Sequence, residues 1–198
     1  MVHDLEKKVN QLYNTQSDIN EHFPAIIELA KECDHITEMG VRTVVSTWAW
    51  LAGAPKKGLF SYDIHNPKYW VKDSDPIKDV EDTADAYGLN FKFTEADVCS
   101  IEIEETDLLF IDTWHCYDQL KEELRLHSDK AKKYICFHDT TTYAHRSEPT
   151  TSDHKWVGNL TPNKGLWDAV TEFLDNDKKW ELLKRYENNN GFTILKRK

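Results

Sequence analysis

Apolar residues fall into short runs separated by amphipathic stretches, and most runs end on a polar side chain. From about Leu5 to Cys33 the spacing predicts helix, with a break where Phe23-Pro24 interrupts it. His35 to Met39 reads as a strand ending at Gly40, and Thr43 to Leu51 as a turn entering a helix that Ala54-Pro55 closes. Gly58 to Ile64 is a second strand with Asp63 near its end. Pro76 to Tyr87 is an amphipathic helix stopped by Gly88, followed by a strand over Asn90 to Thr94. Asp107 to Ile111 (DLLFI) is nearly all apolar, as a strand buried on both faces requires, and it ends at Asp112. Tyr117 to His127 is helical, and Tyr134 to Phe137 is another buried strand ending at His138-Asp139-Thr140. Gly165 to Leu174 reads as helix, then Trp180 to Tyr186 and Phe192 to Lys196 as closing strands around Asn188-Asn189-Asn190-Gly191.

Strand and helix in alternation predict an α/β chain with a parallel sheet covered on both faces. Residues 1–198 read as one domain, with an N-terminal helical segment over 1–31. The stretch 141–164, rich in Thr, Ser, His, Asn and Pro, is too long for a plain connection and reads as a substrate loop. Parallel sheets bind ligands beyond the C-terminal ends of their strands. At those ends stand Glu38 and Gly40, Asp63, Asp97, Asp112, and His138-Asp139.

Composition narrows the partners. Lys and Arg number 25 against 35 Asp and Glu, a net charge of −10, which argues against general nucleic-acid binding. The beginning of the chain has no apolar signal core and no run approaches membrane-spanning length, so no membrane partner and a cytoplasmic location are expected. Cys33, Cys99, Cys116 and Cys136 show no zinc-like spacing and read as reduced and structural. A homo-oligomer is left open.

Glu38-x-Gly40, the strand end at Asp63, the turn at Asp97 and the strand end at Asp112 resemble the successive signature positions of class I S-adenosylmethionine-dependent methyltransferases. More narrowly, IDTWHCYDQLKEEL (Ile111 to Leu124), FHDT (Phe137 to Thr140), KGLWDAVTEFL and NNNGFTILKR resemble the branch of sugar and macrolide O-methyltransferases and cephalosporin-hydroxylase-like proteins. The resemblance runs from about Glu32 onward and leaves the N-terminal helical segment uncovered. It implies a Rossmann-like, doubly wound, mostly parallel seven-stranded sheet with an antiparallel C-terminal strand. It also implies S-adenosylmethionine as cofactor, with Glu38 and Gly40 around its methionine part and Asp97 on its adenine side.

The residues support several roles. Asp63, at the end of the second strand, can accept ribose hydroxyls or cap a turn. Ser46 and Thr47 can donate to the cofactor carboxylate or cap the helix they enter. Arg42 can pair with Glu38 or with another carboxylate. The glycine turn lacks a full GxGxxG, since Thr43, Val44 and Val45 fill its later positions. Asp112 and Asp139 lie at neighbouring strand ends, where two anions need a cation or hydrogen bonds to ionise together. In the resembling O-methyltransferases these positions hold a divalent metal, which implies magnesium on Asp112 and Asp139, with Asp112 also on the cofactor side. His138 adds a softer donor to that set. His115, three residues after Asp112, serves as general base in some relatives; its unperturbed pKa of about 6.5 suits that task, and the adjacent acids should raise it while a metal cation lowers it. Tyr143, His145, Arg146, Glu148, His154 and Trp156 can contact a small-molecule or glycan acceptor. The expected function is metal-assisted O-methylation of a hydroxyl on a saccharide or glycosylated small molecule. The alternatives are a hydroxylase-like enzyme of the same fold and a cofactor-binding protein with a decayed centre.

Overall fold

The structure is a computed structural model that describes residues 1–150 and 160–198. Helix α1 spans Leu5–Tyr13, opened by Asp4, whose side chain accepts from the Lys7 amide. Helix α2 spans Phe23–Lys31. The break between them therefore lies ahead of Phe23-Pro24, and the proline stands in the first turn of α2. The reason is that a proline lacks only an N–H that the first turn leaves unbonded anyway, so it starts a helix at no cost. Then follow β1 (His35–Met39), α3 (Val45–Ala52), β2 (Gly58–Asp63), α4 (Pro76–Ala86) and β3 (Phe91–Glu95). The chain continues through β4 (Thr106–Ile111), α5 (Tyr117–His127), β5 (Ala131–His138), α6 (Leu166–Asn176), β6 (Trp180–Tyr186) and β7 (Phe192–Arg197).

The strands form one seven-stranded sheet in the order β3-β2-β1-β4-β5-β7-β6. Strands β1 to β5 pair in parallel, and β7 runs antiparallel to both β5 and β6. This is the expected doubly wound, mostly parallel sheet with its antiparallel C-terminal strand. Alternate residues of β4 serve opposite layers: Leu108 and Phe110 pack with Trp48, Trp50 and Leu51 of α3, and Leu109 and Ile111 pack with Leu120 and Leu124 of α5. Both faces are thus covered, and each fully buried Leu, Ile or Phe contributes about 1.5–3 kcal/mol. All four cysteines are free; burial pushes the Cys33 thiol up to about 12 and Cys116 to about 11, so they behave as small apolar groups.

Strand order reverses between β1 and β4, where crossovers leave to opposite sides and a crevice opens beyond the strand ends. Gly40 lies at this point with φ +87°, and a Cβ built there would stand 1.9 Å from the Asp112 carbonyl oxygen. Its neighbours Arg42 (φ 48°) and Val44 (φ 59°) hold left-handed backbone without being glycine. A β-branched residue in that region costs on the order of 1–3 kcal/mol, so the turn is held by its contacts.

Candidate active site

A cleft of about 1110 Å³ opens over the C-terminal ends of β1 to β5, walled by Gly40, Asp63, Asp97, Asp112, His115 and Asp139 among others. The turn after β1 is held by the end of β2. Asp63 Oδ2 accepts from the amides of Val41 and Arg42 at 2.7 and 2.9 Å, and Oδ1 accepts from the His65 amide at 2.9 Å. Asp97 caps a single turn of helix, accepting from the Cys99 amide and the Ser100 hydroxyl. Asp63 and Asp97 therefore stand on the cleft wall while also serving as the turn anchors that their residue type suggests.

Glu38, Ser46 and Thr47 do not reach the cleft. Glu38 is wholly buried, and its carboxylate accepts from Ser46 (2.7 Å), Thr47 (2.9 Å) and Ser61 (2.7 Å). Burial pushes this carboxyl up to about 7, against the pull of the three hydroxyl donors. The expectation that these three side chains face a cofactor is corrected to a sealed polar knot under the turn. The cause is register: Glu38 stands beside Ser61 of β2, and the first turn of α3 folds its hydroxyls down onto it. Nor do Ser46 and Thr47 cap α3, which begins after the left-handed Val44. Arg42 pairs with Asp18 at 2.7 Å, leaving Glu38 to the hydroxyls.

The acidic ends of β4 and β5 do converge. His115 Nε2 lies 3.3 Å from Asp112 Oδ1 and 3.1 Å from Asp139 Oδ2, and its Nδ1 lies 3.0 Å from Glu148 Oε2. Tyr143 stacks on the His115 ring with centroids 5.0 Å apart and planes 10° off parallel. Burial works against a charge on His115, but hydrogen bonds to Asp112 and Glu148 and the Asp139 carboxylate overturn it and hold the ring up at about 10. The rise is in the direction that the neighbouring acids lead one to expect, since three carboxylates surround this imidazole. Asp112 shows the converse: burial would raise it, but His138 and His115 hold it well below the usual carboxylate range.

His138 completes the cluster. Its Nε2 lies 3.2 Å from the Asn189 carbonyl oxygen, which can only accept, so the ring carries its proton there. Nδ1 faces Asp139 Oδ2 at 3.1 Å and Asp112 Oδ1 at 3.4 Å, and although burial works against a charge on the ring, these two carboxylates raise it well above the ordinary imidazole range. A buried ring nitrogen aimed between two carboxylates is the donor set of a divalent cation, and the ligand atoms of Asp112, His138 and Asp139 lie within 4.8 Å of one another. The residues present fit such an ion.

Comparison with solved structures shows how general this frame is. The S-adenosylhomocysteine-bound Podospora anserina methyltransferase PaMTH1 superposes with a TM-score of 0.58 at 17% identity, covering 100% of this chain and 89% of that one. Cofactor-bound Rv0187 from MTB gives 0.63 at 12% identity, covering 98% of this chain and 90% of that one. A methyltransferase from Geobacter sulfurreducens gives 0.58 at 11% identity, with 100% and 92% covered. The chain has the Rossmann-like methyltransferase fold. No protein-family model matches the sequence, and no curated protein matches it. The likeness to methyltransferases is therefore one of architecture.

Within the methyltransferase fold the loop residues divide. Tyr143 and Glu148 reach the cluster, and Arg146 lies over the Tyr143 ring at 5.9 Å. His145 points away, exposed and paired with Asp168 at 2.9 Å. His154 and Trp156 lie outside the described residues. Sequence reasoning passed over Asn189 behind His138, Gln119 on the cleft wall, and the aromatic group of His65, Tyr69 and Trp70, of which His65 and Trp70 line the cleft. The one sequence signal for the last was an unusual density of aromatic residues after Asp63. Among the described residues no helix is long and apolar enough to cross a membrane.

Proposed function

We propose that the protein is an S-adenosylmethionine-dependent O-methyltransferase, assisted by a divalent metal, acting on a hydroxyl of a saccharide or glycosylated small molecule. One observation carries the reading: Asp112, His115 and Asp139, with His138 buried behind them, line the same cleft that Gly40, Asp63 and Asp97 line. Gly40 lets the methionine part approach the backbone, Asp63 faces the ribose, and Asp97 stands on the adenine side. Asp112, His138 and Asp139 would hold the cation, which when bound supplies positive charge that acidifies a hydroxyl. The nitrogen donor of His138 favours manganese, iron or zinc over magnesium.

The chain's own residues handle the proton. His115 Nε2 takes it from the acceptor hydroxyl as the new C–O bond forms and the methyl–sulfur bond breaks, releasing S-adenosylhomocysteine. Glu148 receives the Nδ1 hydrogen bond and offsets the charge that the ring gains. With three carboxylates around it His115 is an acid, so positive charge among Asp112 and Asp139 is what returns it to the range of a base.

A second reading has support in one distance pair. His115 Nε2 lies as near to the two carboxylates as His138 Nδ1 does, and two imidazoles with carboxylate suit iron and hydroxylation. The deciding experiment measures thermal stabilisation by S-adenosylhomocysteine and by NAD(H), then product mass with an acceptor panel. Stabilisation by S-adenosylhomocysteine and a gain of one CH₂ are expected. A gain of one oxygen selects the hydroxylase reading, and stabilisation by NAD(H) alone removes both.

A further inference from the structure

Gln119 sits in the first turn of α5 and lines the cleft beside Asp97, Val98 and Trp114. Its amide is not free to turn. Nε2 donates to Glu123 Oε1 at 2.9 Å and to Thr113 Oγ1 at 3.2 Å. Thr113 spends its own hydroxyl proton on the same Glu123 oxygen at 2.6 Å, so its oxygen has only lone pairs left for Gln119. Both N–H bonds of the amide are thereby consumed. Turned over, the amide oxygen would meet a carboxylate oxygen and a hydroxyl whose proton is committed, two contacts between acceptors.

Glu123 lies behind the cleft wall, wholly buried, with its hydrogen bonds made to Thr113 and Gln119. Burial pushes its carboxyl up to about 7, yet Oε1 remains an acceptor with or without a proton on Oε2. What this buried acid accomplishes is to point one amide. The group it leaves over is Gln119 Oε1, a neutral acceptor on the cleft wall. Neighbouring acceptors are engaged: both oxygens of Asp97 cap a turn, and both oxygens of Glu122 grip Arg125.

We propose that Gln119 Oε1 accepts a hydrogen bond from the exocyclic amino group of the cofactor's adenine, so that the cleft selects a 6-amino over a 6-oxo purine. The inference rests on the S-adenosylmethionine reading above. If Asp63 takes the ribose and the cluster after β4 and β5 faces the methyl group, the purine lies on the Asp97 side, where Gln119 stands. A 6-oxo purine brings an acceptor against an acceptor that cannot rotate away.

The test titrates the full chain by calorimetry with S-adenosylhomocysteine and with S-inosylhomocysteine, its 6-oxo counterpart. Wild type should bind the 6-oxo compound about tenfold or more weakly, the effect of one unpaired acceptor. Gln119→Leu should bring the two affinities together by weakening only the 6-amino ligand, and Glu123→Leu should narrow the gap by freeing the amide. Gln119 is part-exposed, so Gln119→Leu folds, and an unchanged melting temperature verifies this. Equal wild-type affinities, or a gap that survives Gln119→Leu, overturn the inference while leaving the cofactor reading intact. No binding of S-adenosylhomocysteine to wild type overturns both.

Discussion

Glu148 grips His115 twice, its Oε2 lying 3.0 Å from the ring Nδ1 and its amide donating to the His115 carbonyl at 2.8 Å. The two are 33 positions apart, so a loop residue fixes the orientation of a side chain at the end of β4. This double contact turns Nε2 toward Asp112 and Asp139.

His115→Ala is expected to lower kcat by at least about a hundredfold, the lower end of what a general base contributes. Affinity for S-adenosylhomocysteine should hardly move. Glu148→Gln, which keeps the contact but removes the charge, should give a smaller loss of kcat. Steady-state rates with calorimetry on the same samples check both; a His115→Ala enzyme with normal kcat would move the base elsewhere.

Asp112→Asn and Asp139→Asn should each abolish metal-dependent turnover. A titration with manganese followed by its spin resonance should show tight binding in wild type and weak binding in either variant. His138→Ala should weaken binding as well, because it removes the nitrogen donor of the set. Full activity in excess EDTA would strike the metal from the mechanism.

Stability should depend on pH through Glu38. Its folded pKa of about 7 lies above the value of about 4.5 in an unfolded chain, so the folded state holds its proton longer. Stability from this group is complete below about pH 4.5 and is lost as pH rises through 7. A shift of this size corresponds to roughly 3 kcal/mol. Glu38→Gln, which stays neutral, should therefore gain in melting temperature relative to wild type between pH 5 and pH 8. A constant difference across that range would mean that Glu38 is charged throughout.

Two glycine substitutions should separate close approach from backbone preference. Gly88 stands at φ +66° with nothing near a built Cβ, so Gly88→Ala should cost about 1–2 kcal/mol. Gly40→Ala meets the Asp112 carbonyl at 1.9 Å and must displace β1 from β4, so it should cost far more and remove cofactor binding. Denaturant melts and thermal shift with S-adenosylhomocysteine compare them directly.

The elements were legible because each carries its own periodicity. DLLFI is short and nearly all apolar, as a strand covered on both faces requires, and Tyr117–His127 shows its helix in its spacing. The convergence of Asp112 with Asp139 was legible too, since consecutive buried strands of a parallel sheet end on the same side. Pro24 was harder, because a proline reads equally as the end of one helix or the start of the next.

What the chain alone determined is the layered α/β architecture and the row of polar residues at the strand ends, both local consequences of side-chain order. Which of those residues face the cleft was decided only in three dimensions. Glu38 stands at a strand end like Asp112, yet three hydroxyls from α3 and β2 close over it. His115 needed Glu148, and His138 needed the Asn189 carbonyl, before either ring nitrogen had a defined task. Such contacts join residues tens of positions apart. Burial, charge and proton position follow from what surrounds a group in space, and spacing along the chain does not carry that.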